Sequence, residues 1–188
     1  MPNLYIIGGC NGAGKTTASQ TLLPKILNCK EFVNADAIAA GLSPFQPADV
    51  AFKAGRLMLE RIEMLADEGV DFAFETTLAT RSYVPFLEAC RKDGYTVHVI
   101  LLYLPTVELA IKRVEERTRS GGHDIPREIV RRRFRRGLVN FRDLYLPRSD
   151  FFLVYDNSRK APSIIARGHK GVADEIYNHD IWQSIIDK

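Results

Sequence analysis

The residues with the plainest chemistry are Gly9-Cys10-Asn11-Gly12-Ala13-Gly14-Lys15-Thr16, which fit the spacing GxxxxGKT and are followed by a second hydroxyl at Thr17. That pattern suits phosphate. Glycines let the backbone close on an anion with its amides turned inward, and a helix starting at Lys15 adds unpaired N–H groups and the positive end of its dipole. Gly9, Asn11, Gly12, Ala13 and Gly14 are therefore expected to cradle a nucleoside triphosphate such as ATP. Lys15 would reach the β- and γ-phosphates, the Thr16 hydroxyl would sit on Mg²⁺, and Thr17 lies within reach of the α-phosphate.

Two acids follow at the ends of apolar runs. Phe32-Val33-Asn34-Ala35-Asp36 ends on a carboxylate, and Asp71-Phe72-Ala73-Phe74-Glu75-Thr76-Thr77 ends on a carboxylate and two hydroxyls. If both runs are parallel strands, their carboxyl ends meet at the edge where open α/β sheets bind ligands. Asp36 is open to three readings: a general base for an attacking hydroxyl, a carboxylate that helps hold Mg²⁺, or a helix N-cap. Glu75 and Thr77 suit an acceptor's hydroxyls or Mg²⁺-bound water, and Glu75 equally suits a cap or an ion pair. Arg81 either contacts an anionic acceptor or belongs to the surface. Asn157, in Tyr155-Asp156-Asn157-Ser158, stands either against adenine or in an ordinary turn.

Phosphoryl transfer spreads negative charge over the moving group, and placed cations stabilise it. The net charge of +3 hides such a supply: residues 112–136 hold ten basic and four acidic side chains, a balance of +6 against −3 for the rest of the chain. Arg113 and Arg117 lie four apart beside the apolar stripe of one helix, and with Lys15 and Asp36 they complete the expected catalytic set. Beyond the turn Gly121-Gly122-His123, Val130, Phe134, Leu138, Phe141 and Tyr145 trace the next stripe. Arg131 and Arg133 then fall on its borders and are preferred as ligand contacts, with Arg132 and Arg136 on the far side. The segment from about residue 113 to 147 reads as a glycine-hinged lid that closes over ATP and excludes water. A nucleic-acid patch is the rival reading, and a nucleotide-gated module that binds RNA or an acidic partner would use it. Against it, Phe134 and Phe141 fall on the core stripe, which leaves no aromatic platform for bases.

The elements that must position these groups alternate strand and helix. Apolar runs at Leu4 to Gly8, Phe32 to Ala35, Phe72 to Glu75, Thr96 to Tyr103 and Phe151 to Tyr155 predict five strands of a mainly parallel sheet. Helices are expected from Lys15 to near Pro24, from about Ala48 to Asp67, over Tyr83 to Lys92, after a Thr106 cap, and from Pro126 onward. The tail from Ile164 to Lys188 reads as helical or mixed packing, and His98 as structural. With 188 residues, 46% hydrophobic and 26% charged, the chain is expected to form one domain over residues 1–188. Cys10, Cys29 and Cys90 have neither metal spacing nor an even count, so free thiols are expected. No apolar run reaches the roughly 18 residues of a membrane span, and no signal region opens the chain; both point to the cytoplasm.

In GGCNGAGKTT, VNADAI, FAFETTL and RVEERTRSGGHDIPREIVRRRF the chain resembles the zeta toxin family of P-loop kinases, over roughly Leu4 to Tyr155. The resemblance implies a three-layer fold of the nucleotide-kinase type and ATP-dependent phosphorylation of a small molecule's hydroxyl, with UDP-N-acetylglucosamine as the family's best-known acceptor. By position it makes Lys15 and Thr16 the nucleotide contacts, Asp36 the base, Glu75 and Thr77 the acceptor contacts, and Arg113 the first lid arginine. The second lid arginine has no direct match, and Arg117, Arg119 or Arg133 would substitute. A small antitoxin is an implied partner. Another metabolite, an antibiotic or a nucleoside remains an alternative acceptor.

Overall fold

The structure is a computed structural model and describes residues 1–122 and 124–187. Its centre is a seven-stranded sheet in the order β2-β3-β1-β4-β5-β6-β7, with strands β1 (Asn3–Gly8), β2 (Glu31–Val33), β3 (Phe72–Thr76), β4 (Thr96–Tyr103), β5 (Phe151–Asp156), β6 (Ser163–His169) and β7 (Val172–Ile176). The first five pair in parallel and correspond to the five expected apolar runs. Seven strands replace the expected five because the tail folds back as the antiparallel hairpin β6–β7 on the edge of β5. Lys170 and Gly171, with φ of 48° and 76°, make the two-residue turn that joins the hairpin.

Alternate residues of each strand face opposite sides, and each side gathers its own core. Leu4, Ile6, Phe72, Phe74, Val97 and Val99 pack against Met58, Ile62 and Leu65 of α3 (Ala51–Asp67) and Leu87 and Cys90 of α4 (Val84–Lys92). The tail helix α7 (His179–Ile186) joins that layer through Trp182, stacked on Phe152 at 5.6 Å, and Ile185. On the opposite face Tyr5, Ile7, Ala73 and Ile100 pack with Leu22 and Leu23 of α1 (Lys15–Lys25). This completes three layers. Pro24 sits in the last turn of α1, where its missing N–H leaves the Gln20 carbonyl without the usual i+4 donor, and the helix ends at Lys25.

The expected second strand is shorter than its apolar run. It ends at Val33, and α2 (Ala35–Leu42) begins two residues on, a helix the apolar pattern did not signal. The lid region is made of α5 (Val107–Arg119), capped by Thr106, and α6 (Arg127–Asn140), which runs into a π-helical turn over Phe141–Tyr145. Phe141 and Tyr145 are fully buried in the core under the sheet, and the earlier part of α6 packs through Val130 and Phe134 in a second cluster with Cys10, Ala13, Leu102 and Leu104. His123, in the expected hinge turn, and Lys188 lie outside the described residues.

His98 is structural in the sense expected. Its ring stacks between Tyr5 and Phe151 at 4.7 and 5.3 Å, and Nε2 lies 3.0 Å from Asn3 Oδ1. Burial lowers its pKa from the ordinary 6.5, against the opposing pull of Asp150 and Asp71. Because the folded value lies below the unfolded one, the unfolded chain binds the proton more readily. The stability held by neutral His98 is full above 6.5 and lost as pH falls through that value toward the folded pKa. Melting temperatures measured from pH 8 to pH 5 should therefore fall less steeply for His98→Gln than for the parent; equal slopes would contradict the assignment.

Candidate active site

The loop after β1 turns on residues that a side chain would disrupt. Gly12 has φ of 79°, and a Cβ there would stand 2.7 Å from the Ala110 carbonyl of α5. Gly14 caps α1 in the left-handed region at φ 82°, which opens the helix N-terminus toward the cleft. The Lys15 ammonium, only 6% exposed, donates to the Cys10 carbonyl at 3.1 Å and lies 3.6 Å from Glu75 Oε1. The Cys10 carbonyl and Glu75 together fix where the ammonium stands. Burial pushes the Cys10 thiol up to about 11, so it stays protonated beside the lysine and does not act as a nucleophile.

Glu75 joins three elements. Its Oε2 accepts from Thr16 Oγ1 at 2.8 Å and from Asn34 Nδ2 at 2.7 Å, while Oε1 faces Lys15. Asp36 sits in the first turn of α2. It is not the cap: Asn34 takes that place, accepting from the Asp36 and Ala37 amides at 2.8 and 3.1 Å. The Asp36 carboxylate is thus spared a capping role and lines a cleft of about 530 Å³ together with Lys15, Thr16, Glu75 and Thr77.

The far wall of this cleft is arginine. Arg113, Arg117, Arg132, Arg133 and Arg136 all line it. Arg133 donates to Asn11 Oδ1 at 3.2 Å, so α6 touches the phosphate loop directly. Burial lowers the Arg133 pKa, Asp36 opposes that drop and Arg132 adds to it, which puts the guanidinium within the field of the acid. The expected phase of α6 needs correction. Arg131 turns outward to Glu108 and Glu128, while Arg132 and Arg136, assigned to the far side, face the cleft. The core stripe of α6 fixes which side is buried and leaves open which flank meets the cleft.

Arg113 is tied down at its tip. It donates to the carbonyls of Asn157 and Ser158 at 2.8 and 2.9 Å, and Asn157 Nδ2 donates in turn to the Ala13 carbonyl at 2.6 Å. The loop after β5 is thereby fastened to the back of the phosphate loop, and Asn157 stands behind that loop and does not line the cleft. Gly9 and Ala13 also shape the loop from behind, where Ala13 packs with Leu102 and Ala110. Arg81 lies outside the main cleft, in an adjoining one of about 530 Å³ with Thr80, Arg135 and Arg136.

The turn after β3 is held in an uncommon shape. Leu78, fully buried, has φ of 59°, a left-handed value costly for a branched side chain. Thr76 Oγ1 accepts its amide at 3.1 Å, Asn140 Nδ2 donates to its carbonyl at 2.7 Å, and Tyr145 Oη donates to the Thr80 carbonyl at 2.7 Å. These contacts hold Thr77 and Thr80 at the cleft wall. Asn34, Met58 and Tyr83 were not anticipated as cleft residues. For Asn34 a signal existed, since Asn is a favoured cap and VNADAI places it one residue before a helix start.

The model of the zeta toxin family matches residues 43–162. The chain belongs to the zeta toxin family. The matched span carries Glu75, Thr77, Arg113, Arg117 and Arg133, and the phosphate loop and Asp36 precede it. An uncharacterized protein of Haemophilus influenzae is 27% identical over 126 residues, which cover 67% of this chain and 88% of that protein. Among solved structures, a chain of the AvrRxo1-ORF1:-ORF2 complex with ATP superposes with a TM-score of 0.79 at 16% identity, covering 99% of this chain and 64% of its own. This family member therefore spans under two thirds of that relative. A chain of the PezAT chromosomal toxin-antitoxin system of Streptococcus pneumoniae matches with a TM-score of 0.68 at 17% identity, covering all of this chain and 79% of its own. A putative kinase from Chloroflexus aurantiacus matches at 0.57 and 20% identity, over 69% of this chain and 78% of its own. The shared feature is the P-loop kinase fold.

Proposed function

We propose that this zeta toxin family member is an ATP-dependent kinase that transfers the γ-phosphoryl group to a hydroxyl of a small molecule. The observation that carries the reading is one cleft lined by Lys15, Thr16, Asp36 and Glu75 on one wall and by Arg117 and Arg133 on the other. Lys15 and the loop amides would hold the triphosphate tail, and Arg117 and Arg133 would offset charge on the moving group. Asp36 would take the proton from the acceptor hydroxyl as its oxygen bonds to the γ-phosphorus and the bond to the β–γ bridging oxygen breaks, releasing ADP. Arg113 and Asn157 brace the phosphate loop from behind, and the part of α5–α6 before Gly137 acts as the lid.

The donors present fit Mg²⁺. The hydroxyl of Thr16 and the carboxylate of Glu75, 2.8 Å apart in the cleft, are the hard oxygens that suit a cation shared with nucleotide phosphates. Bound there, Mg²⁺ would neutralise phosphate charge. The adjoining cleft with Arg81, Arg135 and Arg136 supports an acceptor that itself carries phosphate, such as UDP-N-acetylglucosamine. The solved complexes of similar fold, one named as a toxin-antitoxin system, support a small protein partner. The nucleic-acid reading is weaker, because Phe134 packs into a core cluster and Phe141 is fully buried. No helix among the described residues is long and apolar enough to cross a membrane.

Incubation with γ-labelled ATP and a panel of UDP-sugars, nucleosides and neutral hexoses tests the proposal. Label is expected in a phosphate-bearing acceptor and not in the hexoses. Failure of the protein to bind ATP, or labelling of none of the panel, would overturn it.

A further inference from the structure

Asn34 makes more contacts than a helix cap needs. Its side chain is 6% exposed, and its planar amide is used at both ends. Oδ1 accepts from the Asp36 and Ala37 amides at 2.8 and 3.1 Å, and Nδ2 donates to Glu75 Oε2 at 2.7 Å, with Thr16 Oγ1 at 3.5 Å. The two backbone N–H groups require the oxygen on the α2 side, so the network itself sets which end carries the NH2.

We propose that Asn34 is a positioning residue that ties the placement of Asp36 to the state of Glu75 and Thr16. The inference rests on the kinase reading and adds to it how the base is placed. An amide is rigid, so a displacement of Glu75 or Thr16 that turns the Nδ2 end must also turn the Oδ1 end, and Oδ1 grips the first turn of α2 where Asp36 sits. Thr16 and Glu75 are the residues that would meet the cation-bound phosphates. In the structure Thr16 Oγ1 donates to Glu75 Oε2 at 2.8 Å, and a cation ligated by these oxygens would reset the geometry of that pair. Asn34 is the only residue among the hydrogen bonds of the described residues that touches both this pair and the helix bearing Asp36. No covalent step is involved; the residue would act by setting where an acid stands.

A cap and a positioning residue respond differently to substitution. Ser caps as well as Asn but is too short to grip α2 and reach Glu75 together. Asn34→Ser should therefore leave the melting temperature within roughly 2 °C of the parent and binding of Mg·AMP-PNP within about threefold, while transfer from Mg·ATP falls on the order of a hundredfold through kcat. A second readout needs no acceptor. In the parent, Mg·AMP-PNP should change hydrogen exchange at the Asp36 and Ala37 amides several-fold, and in Asn34→Ser the same nucleotide should bind without that change. Parent-like kcat in the variant, or a parent-like exchange response, would overturn the role of Asn34 alone. If the parent chain fails to bind Mg·AMP-PNP, the kinase reading falls first and this inference with it, an outcome visible before any variant is made.

Discussion

Asp36→Asn is expected to lower phosphoryl transfer by about two to four orders of magnitude, the range a positioned general base supplies, while nucleotide binding persists. The fold should tolerate the change. The α2 cap is Asn34, so the substitution removes no capping acceptor, only an acidic residue in the first helical turn, whose dipole interaction is worth roughly 0.3 to 1 kcal/mol. Nucleotide affinity should hold because Lys15 and the loop amides, which would hold the triphosphate, belong to α1 and the β1 loop and not to α2. Lys15→Ala is the complement: it should cost nucleotide binding itself. Isothermal titration with Mg·AMP-PNP and turnover with labelled ATP separate the two variants. Near-normal turnover in Asp36→Asn would remove this acid from the role of base and shift attention to Glu75, the other carboxylate in the cleft.

What could be read from residue order alone divides along physical lines. The five parallel strands were legible because each carries a run of apolar residues, most continuous in β1, β3 and β4, which are buried along most of their length. The β6–β7 hairpin was not, because it forms the sheet edge: VADEI in β7 has no buried residue, exposes both its acids, and suggests surface more than strand. The turn at Lys170-Gly171 was the available clue, since a two-residue hairpin favours Gly at its second position. Helix α2 is hard to read from the sequence for a different reason. It is eight residues long and contains Gly41, too short for a periodic stripe, and its one strong marker is the Asn34 cap.

The site follows the same division. The phosphate loop is a local motif, so its backbone geometry was legible from spacing. The two acids were legible because strand ends bring distant residues to one edge, a consequence of topology that parallel order already implies. The arginines were not legible individually. A helix stripe states which side is buried, and leaves two flanks whose fates depend on the neighbouring helix. Arg131 is taken by Glu108, and Arg132 turns to the cleft in its place. Arg113 shows the limit most clearly, since no local pattern states that its guanidinium would hold the carbonyls of Asn157 and Ser158, forty-four and forty-five residues away.

Gly137→Ala should do the opposite of what helix propensity predicts. Gly137 lies inside α6, where Ala is ordinarily favoured by about 1 kcal/mol. Here the space is filled: a Cβ at this position would stand 2.5 Å from the Thr77 carbonyl, a backbone atom that cannot rotate aside. Relief requires α6 to move off the turn after β3 or that turn to move itself. Either breaks the grip of Asn140 on Leu78 and of Tyr145 on Thr80, the bonds that hold the left-handed turn in place. Overpacking of this kind costs roughly 1 to 3 kcal/mol, a fall in melting temperature of about 5 to 10 °C at the upper end for a chain of this size. The functional loss should be larger. Arg133 and Arg136 ride on the same helix, and an error near 1 Å in placing a group that meets the moving phosphoryl is worth on the order of a hundredfold in rate. Gly55→Ala in α3 supplies the control, because nothing lies within 4 Å of a Cβ there; that variant should gain about 0.5 to 1 kcal/mol and keep its turnover. The two substitutions are chemically identical and occur in the same kind of element, so opposite signs in thermal unfolding isolate the contact with Thr77. If Gly137→Ala were as stable and active as Gly55→Ala, α6 would not be docked on the β3 turn, and the arginine wall of the cleft would lose the anchor that places it.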